Sequence, residues 1–332
     1  MKPFSKRAKG AYVFVALMLV MCSPATAWSQ QDHLMAMDSA GKDHLNVLTI
    51  NLLFLEVANR EARLQAIADF MAAQAEGGEP VDIVLLQEVV GGRLARTANS
   101  SLDLQRLLAE RGLTYHLRYR LANGVRGMLT VGNGILSRSE IVFTVHRPLP
   151  FVSEEWFEGL AIRLKRNVMM SRVRVEGFGD VDVYNTHLCA DCDAAERLEQ
   201  AQVLMQFLEQ VESWIGGGRP LILGGDFNTD VATPSHLPVY ELITSTSGFV
   251  DTYARANGCS NCCSEVEGLA GCTYGVAGNP FAVDPFTHEP GEAKRIDYIF
   301  TRGMEVESSV VVFNCEPWVS DHSGVLSKIR LR

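Results

Sequence analysis

Long apolar stretches are missing from this chain: the run from Ala11 to Met21 covers about eleven residues, whereas a membrane-spanning helix needs roughly 20. Positive charge is scarce as well. With 30 Lys+Arg against 39 Asp+Glu the formal net charge is −9, which weighs against tight binding of polyanions, because such binding rests on clustered Lys and Arg. A divalent cation can still offset a local carboxylate cluster. Internal repeats, low-complexity tracts and Pro/Gly/Ser-rich linkers are absent too. That excludes a repeat array and leaves no seam between domains, so the length fits one large α/β or β-sandwich domain.

What is present begins with Lys2, Lys6, Arg7 and Lys9, then the apolar run, then Ala25-Thr26-Ala27. This order predicts a secretory signal peptide over residues 1–27, cleaved near Ala27. Met21 before Cys22 is larger than the small residue of a lipoprotein signal, so lipidation is discounted. Without the leader the chain carries 26 Lys+Arg against 39 Asp+Glu, a formal charge of −13. Residues 28–44 read as a loose leader and 45–332 as one domain, exported to the periplasm or the exterior.

Seven cysteines remain: Cys189, Cys192, Cys259, Cys262, Cys263, Cys272 and Cys315. In an exported protein they predict disulfides, with at least one thiol left over because seven is odd. Zinc on Cys189-x-x-Cys192 with Cys259-x-x-Cys262 has acceptable local spacing, but the pairs lie far apart and the compartment favours oxidation.

Leu64, Ile67, Met71 and Ala75 predict an amphipathic helix over 60–75, and Leu198, Ala201, Met205, Leu208, Val211 and Ile215 predict another over 194–215. Strands are expected at 46–51, 81–87, 113–121, 128–137, 141–146, 160–175, 181–187, 220–225, 296–301, 306–313 and 324–331. The runs 81–86 and 221–223 are apolar almost throughout, as when both faces of a strand are covered, whereas 171–176 alternates and should keep one wet face. Two packed sheets flanked by helices follow. The segment 254–294, rich in Gly, Cys and Pro, reads as a long functional or stapled loop.

Polar clusters close several apolar runs: Asn51, Gln87-Glu88, Asn185-Thr186-His187, Gly225-Asp226-Phe227-Asn228, and later Asp297 and Ser320-Asp321-His322. Taken singly each has a plain reading. Glu88 alone is a strand-end carboxylate in solvent, Asn51 a turn residue, and His187 a structural histidine. Together they suit metal-assisted hydrolysis. Glu88 would serve a hard cation such as Mg²⁺, with Asn51 positioning the ion or its water. Asp226 and Asn228 could hold an attacking water, an imidazolium at His187 could stabilise phosphoryl charge, and Asp297 could orient His322 with Asp321 turned to the metal.

Asn51, Gln87-Glu88-Val89, Gly132-Asn133-Gly134-Ile135-Leu136-Ser137, Asn185-Thr186-His187-Leu188, Gly225-Asp226-Phe227-Asn228, Arg295-Ile296-Asp297-Tyr298 and Ser320-Asp321-His322 resemble the motif series of the endonuclease/exonuclease/phosphatase superfamily. The likeness runs over about residues 45–332. It implies a four-layer α/β/β/α sandwich of two mixed sheets and a metal-dependent phosphoric diester hydrolase. By that resemblance Glu88, Asn51 and Asp321 hold the metal (Mg²⁺, or else Mn²⁺ or Ca²⁺), and His187, Asp226, Asn228, Asp297 and His322 carry the catalysis.

Three segments are similar to neutral sphingomyelinases: Thr186-His187-Leu188-Cys189-Ala190 leading into a helix with Arg197, Gln200 and Gln202; Gly248-Phe249-Val250-Asp251-Thr252-Tyr253; and Pro285-Phe286 before Arg295. The cysteine-rich 259–272 insert departs from that pattern. The expected substrate is a phospholipid head group at a membrane surface, with Trp156-Phe157 and Phe281 to Phe286 either touching the lipid or packing inside. A secreted endonuclease acting on nucleic acid is the runner-up, an inositol-phosphate phosphatase a weaker option and a non-enzymatic binding module the last. No obligate protein partner is implied.

Overall fold

The computed structural model describes residues 43–331 apart from 158–159, 260–261, 265–267 and 284–288, and no side chain from 153 to 162. The signal peptide, the leader up to residue 42, Pro285-Phe286 and the side chains of Trp156 and Phe157 lie outside the described residues.

The strands are β1 (His44–Asn51), β2 (Ile83–Gly91), β3 (His116–Val125), β4 (Leu129–Ser137), β5 (Glu140–Phe157), β6 (Leu160–Val175), β7 (Gly179–His187), β8 (Leu221–Asp226), β9 (Val250–Asp251), β10 (Asp297–Arg302), β11 (Glu305–Val312) and β12 (Gly324–Arg330). Three long helices join them: α1 (Arg60–Glu76), α2 (Ser100–Glu110) and α3 (Ala194–Ile215). One six-stranded sheet runs β11-β12-β1-β2-β4-β3 and the other β5-β6-β7-β8-β10-β9. Each is mixed: β1/β2 and β7/β8 are parallel, with α1 and α3 as the crossovers, and the remaining pairs are antiparallel.

Strand periodicity explains the layers, since alternate side chains leave opposite faces. Leu45 and Val47 of β1, Ile83 and Leu85 of β2, Val181 and Val183 of β7, Ile222 of β8 and Ile299 of β10 form the core between the sheets. Their neighbours Leu48, Ile50, Val84 and Leu86 point outward against Leu64, Ile67, Met71, Leu104 and Leu108 of α1 and α2. Tyr184, Leu221, Leu223 and Phe300 do the same against Leu204, Phe207, Leu208 and Val211 of α3. The result is helix, sheet, sheet, helix. Each fully buried Val, Leu or Ile contributes about 1.5–3 kcal/mol.

Three differences from the sequence expectations have local causes. Helix α2, absent from the expected elements, buries Leu104, Leu107 and Leu108, and it starts because the Asn99 side chain caps the N–H groups of Ser101 and Leu102. Strand β5 extends well past residue 146 despite Pro148 and Pro150, since it is an edge strand and its pairing shifts between Pro148 and Val152. The wet face expected at 171–176 is only partial, because Arg172 is buried in a double hydrogen bond to Asp182 (2.7 Å each).

Candidate active site

The inward-facing set on each central strand is apolar over most of its length and polar toward one end. On β1 Leu45 and Val47 give way to Thr49 and Asn51; on β7 Val181 and Val183 give way to Asn185 and His187; on β8 Ile222 is followed by Gly224 and Asp226; on β10, which runs antiparallel to β8, Asp297 precedes Ile299. The period of two therefore delivers these polar residues to the gap between the sheets, at one end. All are buried.

Glu88 would follow the outward series of Val84 and Leu86 and face the helices. It does not, because β2 carries a bulge between Leu86 and Val89 and Glu88 adopts φ +54°. This backbone conformation is uncommon for a residue with a Cβ and re-aims the carboxylate. Oε2 accepts the Phe54 N–H at 2.9 Å, and Oε1 lies 4.0 Å from His187 Nδ1. Gln87, next to it, donates across the gap to Asn185 Oδ1 at 2.8 Å, while Asn185 Nδ2 donates to the carbonyls of Leu86 (2.9 Å) and Gly134 (2.8 Å). Asn185 thus stitches the two sheets together directly below the site.

Asp226 is the hub. Its Oδ2 accepts from Asn51 Nδ2 at 3.1 Å and lies 3.3 Å from His187 Nε2 and 3.7 Å from His322 Nε2. Oδ1 accepts the Asn228 N–H at 2.9 Å, across a turn in which Asn228 has φ +46°. Gly225, at φ +136°, makes the close approach possible, because a Cβ there would lie 2.0 Å from the Thr186 carbonyl oxygen. Burial, then the neighbouring Asp297, push the Asp226 pKa up to about 7. Asp297 faces Asp226 in register and bonds His322 Nδ1 at 2.8 Å. Burial works hardest against charge on His322, but Asp297, Asp321 and Asp226 together outweigh it and hold its pKa well above the usual histidine value.

His187 has a different charge from the imidazolium expected of it. Burial first, then Arg166 and His322, drive its pKa well below the usual value. Arg166 Nη1 lies 3.2 Å from His187 Nδ1; with the arginine donating there, the neutral ring carries its proton on Nε2, toward Asp226. Asn228 Nδ2 lies 3.1 Å from that nitrogen and directs its hydrogen instead to the Leu188 carbonyl at 3.0 Å.

Arg166 was not apparent from the sequence, and neither was Arg63 of α1. Arg63 donates to the carbonyls of Leu52 (2.8 Å), Leu53 (3.1 Å), Glu56 (2.8 Å) and Val319 (2.7 Å), joining the segment after Asn51 to the segment before Asp321. Burial pulls its pKa down to about 10. Replacing Arg63 by Met strands four carbonyls, and unfolding stability is expected to drop by about 3 kcal/mol in urea titrations. A drop under about 1 kcal/mol would mean that water replaces the guanidinium.

The cysteine-rich segment closes the far wall. Disulfides join Cys189–Cys192, Cys259–Cys262 and Cys263–Cys272, and Cys315 is free and exposed. This pairing overturns the zinc alternative. Beside Cys272, the Thr273 hydroxyl accepts the N–H groups of Ile296 and Asp297 at 3.1 Å each. The Tyr274 ring lies 5.1 Å from that of His322. Arg197 and Gln200 brace the turn after His187, Arg197 through the carbonyls of Cys189 (3.0 Å), Ala190 (2.8 Å) and Cys192 (2.9 Å), and Gln200 through the Cys189 N–H at 2.8 Å.

Among the described residues two donor sets could hold a cation. Asp226, Asp297 and His322 bring ligand atoms within 4.8 Å of one another, but these three are engaged with each other and His322 favours its protonated form, which cannot ligate. Glu88 and Asp321 fit better. Burial, then Asp321, raise the Glu88 pKa, and a divalent cation would relieve that repulsion. Two carboxylates are the hard oxygen donors that Mg²⁺ takes while keeping several waters.

The sequence model of the Endonuclease/Exonuclease/phosphatase family matches residues 48–322. The chain belongs to this family. Family members are generally phosphodiesterases or phosphatases, typically dependent on a divalent metal. A family protein from Leptotrichia buccalis is 23% identical, with TM-score 0.60, over 86% of this chain and 99% of that one. One from Beutenbergia cavernae is 25% identical, with TM-score 0.61, over 87% and 72%. D. rerio TDP2, solved with a single-strand DNA product, is 17% identical, with TM-score 0.61, over 87% and 99%. No curated protein matches the sequence. The three disulfides imply an oxidising compartment, and among the described residues no helix is long and apolar enough to cross a membrane.

Proposed function

We propose that this protein is an exported, Mg²⁺-dependent phosphodiesterase of the sphingomyelinase or phospholipase C type, releasing a phosphorylated head group from a phospholipid. The observation that carries the hydrolase chemistry is the buried Asp297–His322–Asp226 chain beside the Glu88–Asp321 carboxylates. The lipid substrate is supported by the sphingomyelinase-like segments around His187 and Asp251 and by the acidic charge. Export is supported by the basic-apolar-Ala-x-Ala leader and by the disulfides.

Glu88, Asp321 and Asn51 would hold the ion, which when bound polarises the phosphoryl oxygen and offsets its charge. Asp226 accepts the proton of the attacking water, with Asn51 and the Asn228 N–H fixing its oxygens. His322 and His187 offer Nε2–H groups to phosphoryl oxygens as negative charge develops. Asp226 and His322 stand 3.7 Å apart, too close to serve opposite sides of phosphorus in an in-line displacement. The leaving oxygen therefore faces away from this pair.

A pH dependence follows. Asp226 is protonated below about 7 and is a base above it, so kcat/KM should rise about tenfold per pH unit on the acid side and level off above. It should decline again at alkaline pH as His322 loses its raised proton. A profile flat from pH 5 to 8 would remove Asp226 as the proton acceptor.

A nuclease is the second reading, favoured by the fold shared with the DNA-bound TDP2 structure. Purified mature protein and its His322→Ala variant, with Mg²⁺ or with EDTA, should be given sphingomyelin vesicles and plasmid DNA in parallel. Phosphocholine release that needs both Mg²⁺ and His322 supports the lipid reading. DNA nicking with intact lipid replaces it.

A further inference from the structure

The net negative charge is unevenly distributed. Between residues 89 and 102, and again between 111 and 139, there is no Asp or Glu, while these two stretches hold seven arginines. Two of the seven are engaged at carboxylates: Arg111 with Asp69 (2.6 Å), and Arg138 with Asp82 (3.8 Å). Arg93, Arg96 and Arg126 are exposed, on two adjoining segments.

Those segments are joined into one knob. The loop 92–97 leaves the end of β2, and the tip of the β3–β4 hairpin, residues 124–128, lies against it. Arg93 N–H donates to the Gly127 carbonyl at 3.2 Å and Leu94 N–H to the Met128 carbonyl at 3.0 Å; Gly92 N–H donates back to the Thr97 carbonyl at 2.7 Å. Gly92 is required for the fit, since a Cβ there would lie 2.4 Å from the Met128 carbonyl oxygen. Interleaved with the arginines, Leu94 (39%), Val125 (62%) and Met128 (48%) are exposed aliphatics. Asp103, the first carboxylate after the loop, accepts the Thr97 hydroxyl at 2.6 Å. Behind the knob a cavity of about 810 Å³ is lined by Arg120, Arg126, His146, Tyr119 and Asn99 among others, with no carboxylate among its lining residues.

We propose that this knob docks the protein on an anionic lipid membrane, presenting the lipid surface to the Glu88 end of the cleft. Arginines supply attraction to acidic head groups, and the aliphatic side chains between them enter the head-group boundary. Position supports the assignment: Glu88 and Gly91 are three residues apart on β2, about 10 Å, and the knob begins at Gly92. Nucleic acid fits less well, because strand-binding surfaces add exposed aromatic faces for base stacking and the knob's exposed apolar residues are aliphatic. A second copy of the chain, docking by the same patch, would set arginines against arginines.

The proposal deepens the phospholipase reading, and its test separates the two. Cosedimentation of the His322→Ala protein with phosphatidylcholine vesicles, with and without phosphatidylserine, measures docking without turnover. Retention is expected to depend on phosphatidylserine. It should weaken roughly 25-fold in Arg93→Gln/Arg126→Gln, at about fivefold per arginine, and fall further with Leu94→Ser/Met128→Ser. The same substitutions in active protein should leave hydrolysis of a soluble chromogenic phosphodiester unchanged while lowering release from vesicles. Unchanged vesicle binding in the arginine variant, or none in the parent, overturns the proposal, as does retention by single-stranded DNA in place of vesicles. Knob-dependent docking without lipid hydrolysis would instead sink the phospholipase reading and leave the docking surface standing.

Discussion

Turnover should fall by about three orders of magnitude when His322 is replaced by Ala, under saturating substrate and Mg²⁺. The residue is buried with Nδ1 held by Asp297 at 2.8 Å and Nε2 3.7 Å from Asp226, so its ring has one defined orientation and a retained proton. Asp297→Asn separates charge from orientation. The amide can still bond the ring, but the strongest partner of the imidazolium is gone, so turnover should drop about a hundredfold and the alkaline limb of the pH profile should move to lower pH. The direction is fixed: Asp297 raises the His322 pKa, and its neutralisation lets that pKa fall. An Asp297→Asn enzyme with reduced turnover and an unmoved alkaline limb would show that His322 is not the group titrating there.

The second large effect belongs to Glu88. Glu88→Gln should abolish Mg²⁺ activation and lower turnover by about a thousandfold, yet raise the stability of the metal-free protein. Burial and the proximity of Asp321 both disfavour the Glu88 carboxylate; the neutral isostere removes that penalty while keeping the Phe54 N–H bonded. Thermal melts in EDTA check this independently of activity. The variant should melt above the parent in EDTA, and Mg²⁺ should raise the melting temperature of the parent alone. A parent protein whose melt ignores Mg²⁺ would remove Glu88 and Asp321 as its site.

Asn51, Asn185, His187 and Asp226 were legible because they lie at the end of apolar strand runs, and a period of two carries the parity of each run into them. Glu88 is the exception. Its position at a strand end was visible, but simple alternation aims it at the helices, and only the bulge, a tertiary feature, turns it inward. Arg63 and Arg166 were not legible for a related reason. An arginine on a helix or strand reads as a solvated charge, and nothing local announces that four carbonyls from separate loops converge on Arg63. The odd cysteine count did foretell a free thiol, which is Cys315, whereas the pairing of the other six needed the fold. The knob escaped notice because net charge averages over the chain.

The place of β12 has a consequence for how the protein is made. This strand, residues 324–330, lies between β11 and β1, pairing Leu326 with Leu48 and Val325 with Thr49, and Asp321 and His322 arrive immediately before it. Synthesis proceeds from the other end at about 5–20 residues per second. Throughout that time the growing chain can hold β1 and β2, with Asn51 and Glu88, but has neither their central partner strand nor the imidazole. On the roles proposed for Asp321 and His322, hydrolytic competence would wait for β12 to fill its slot between β11 and β1, and a chain truncated before residue 320 should be inert toward phosphoesters.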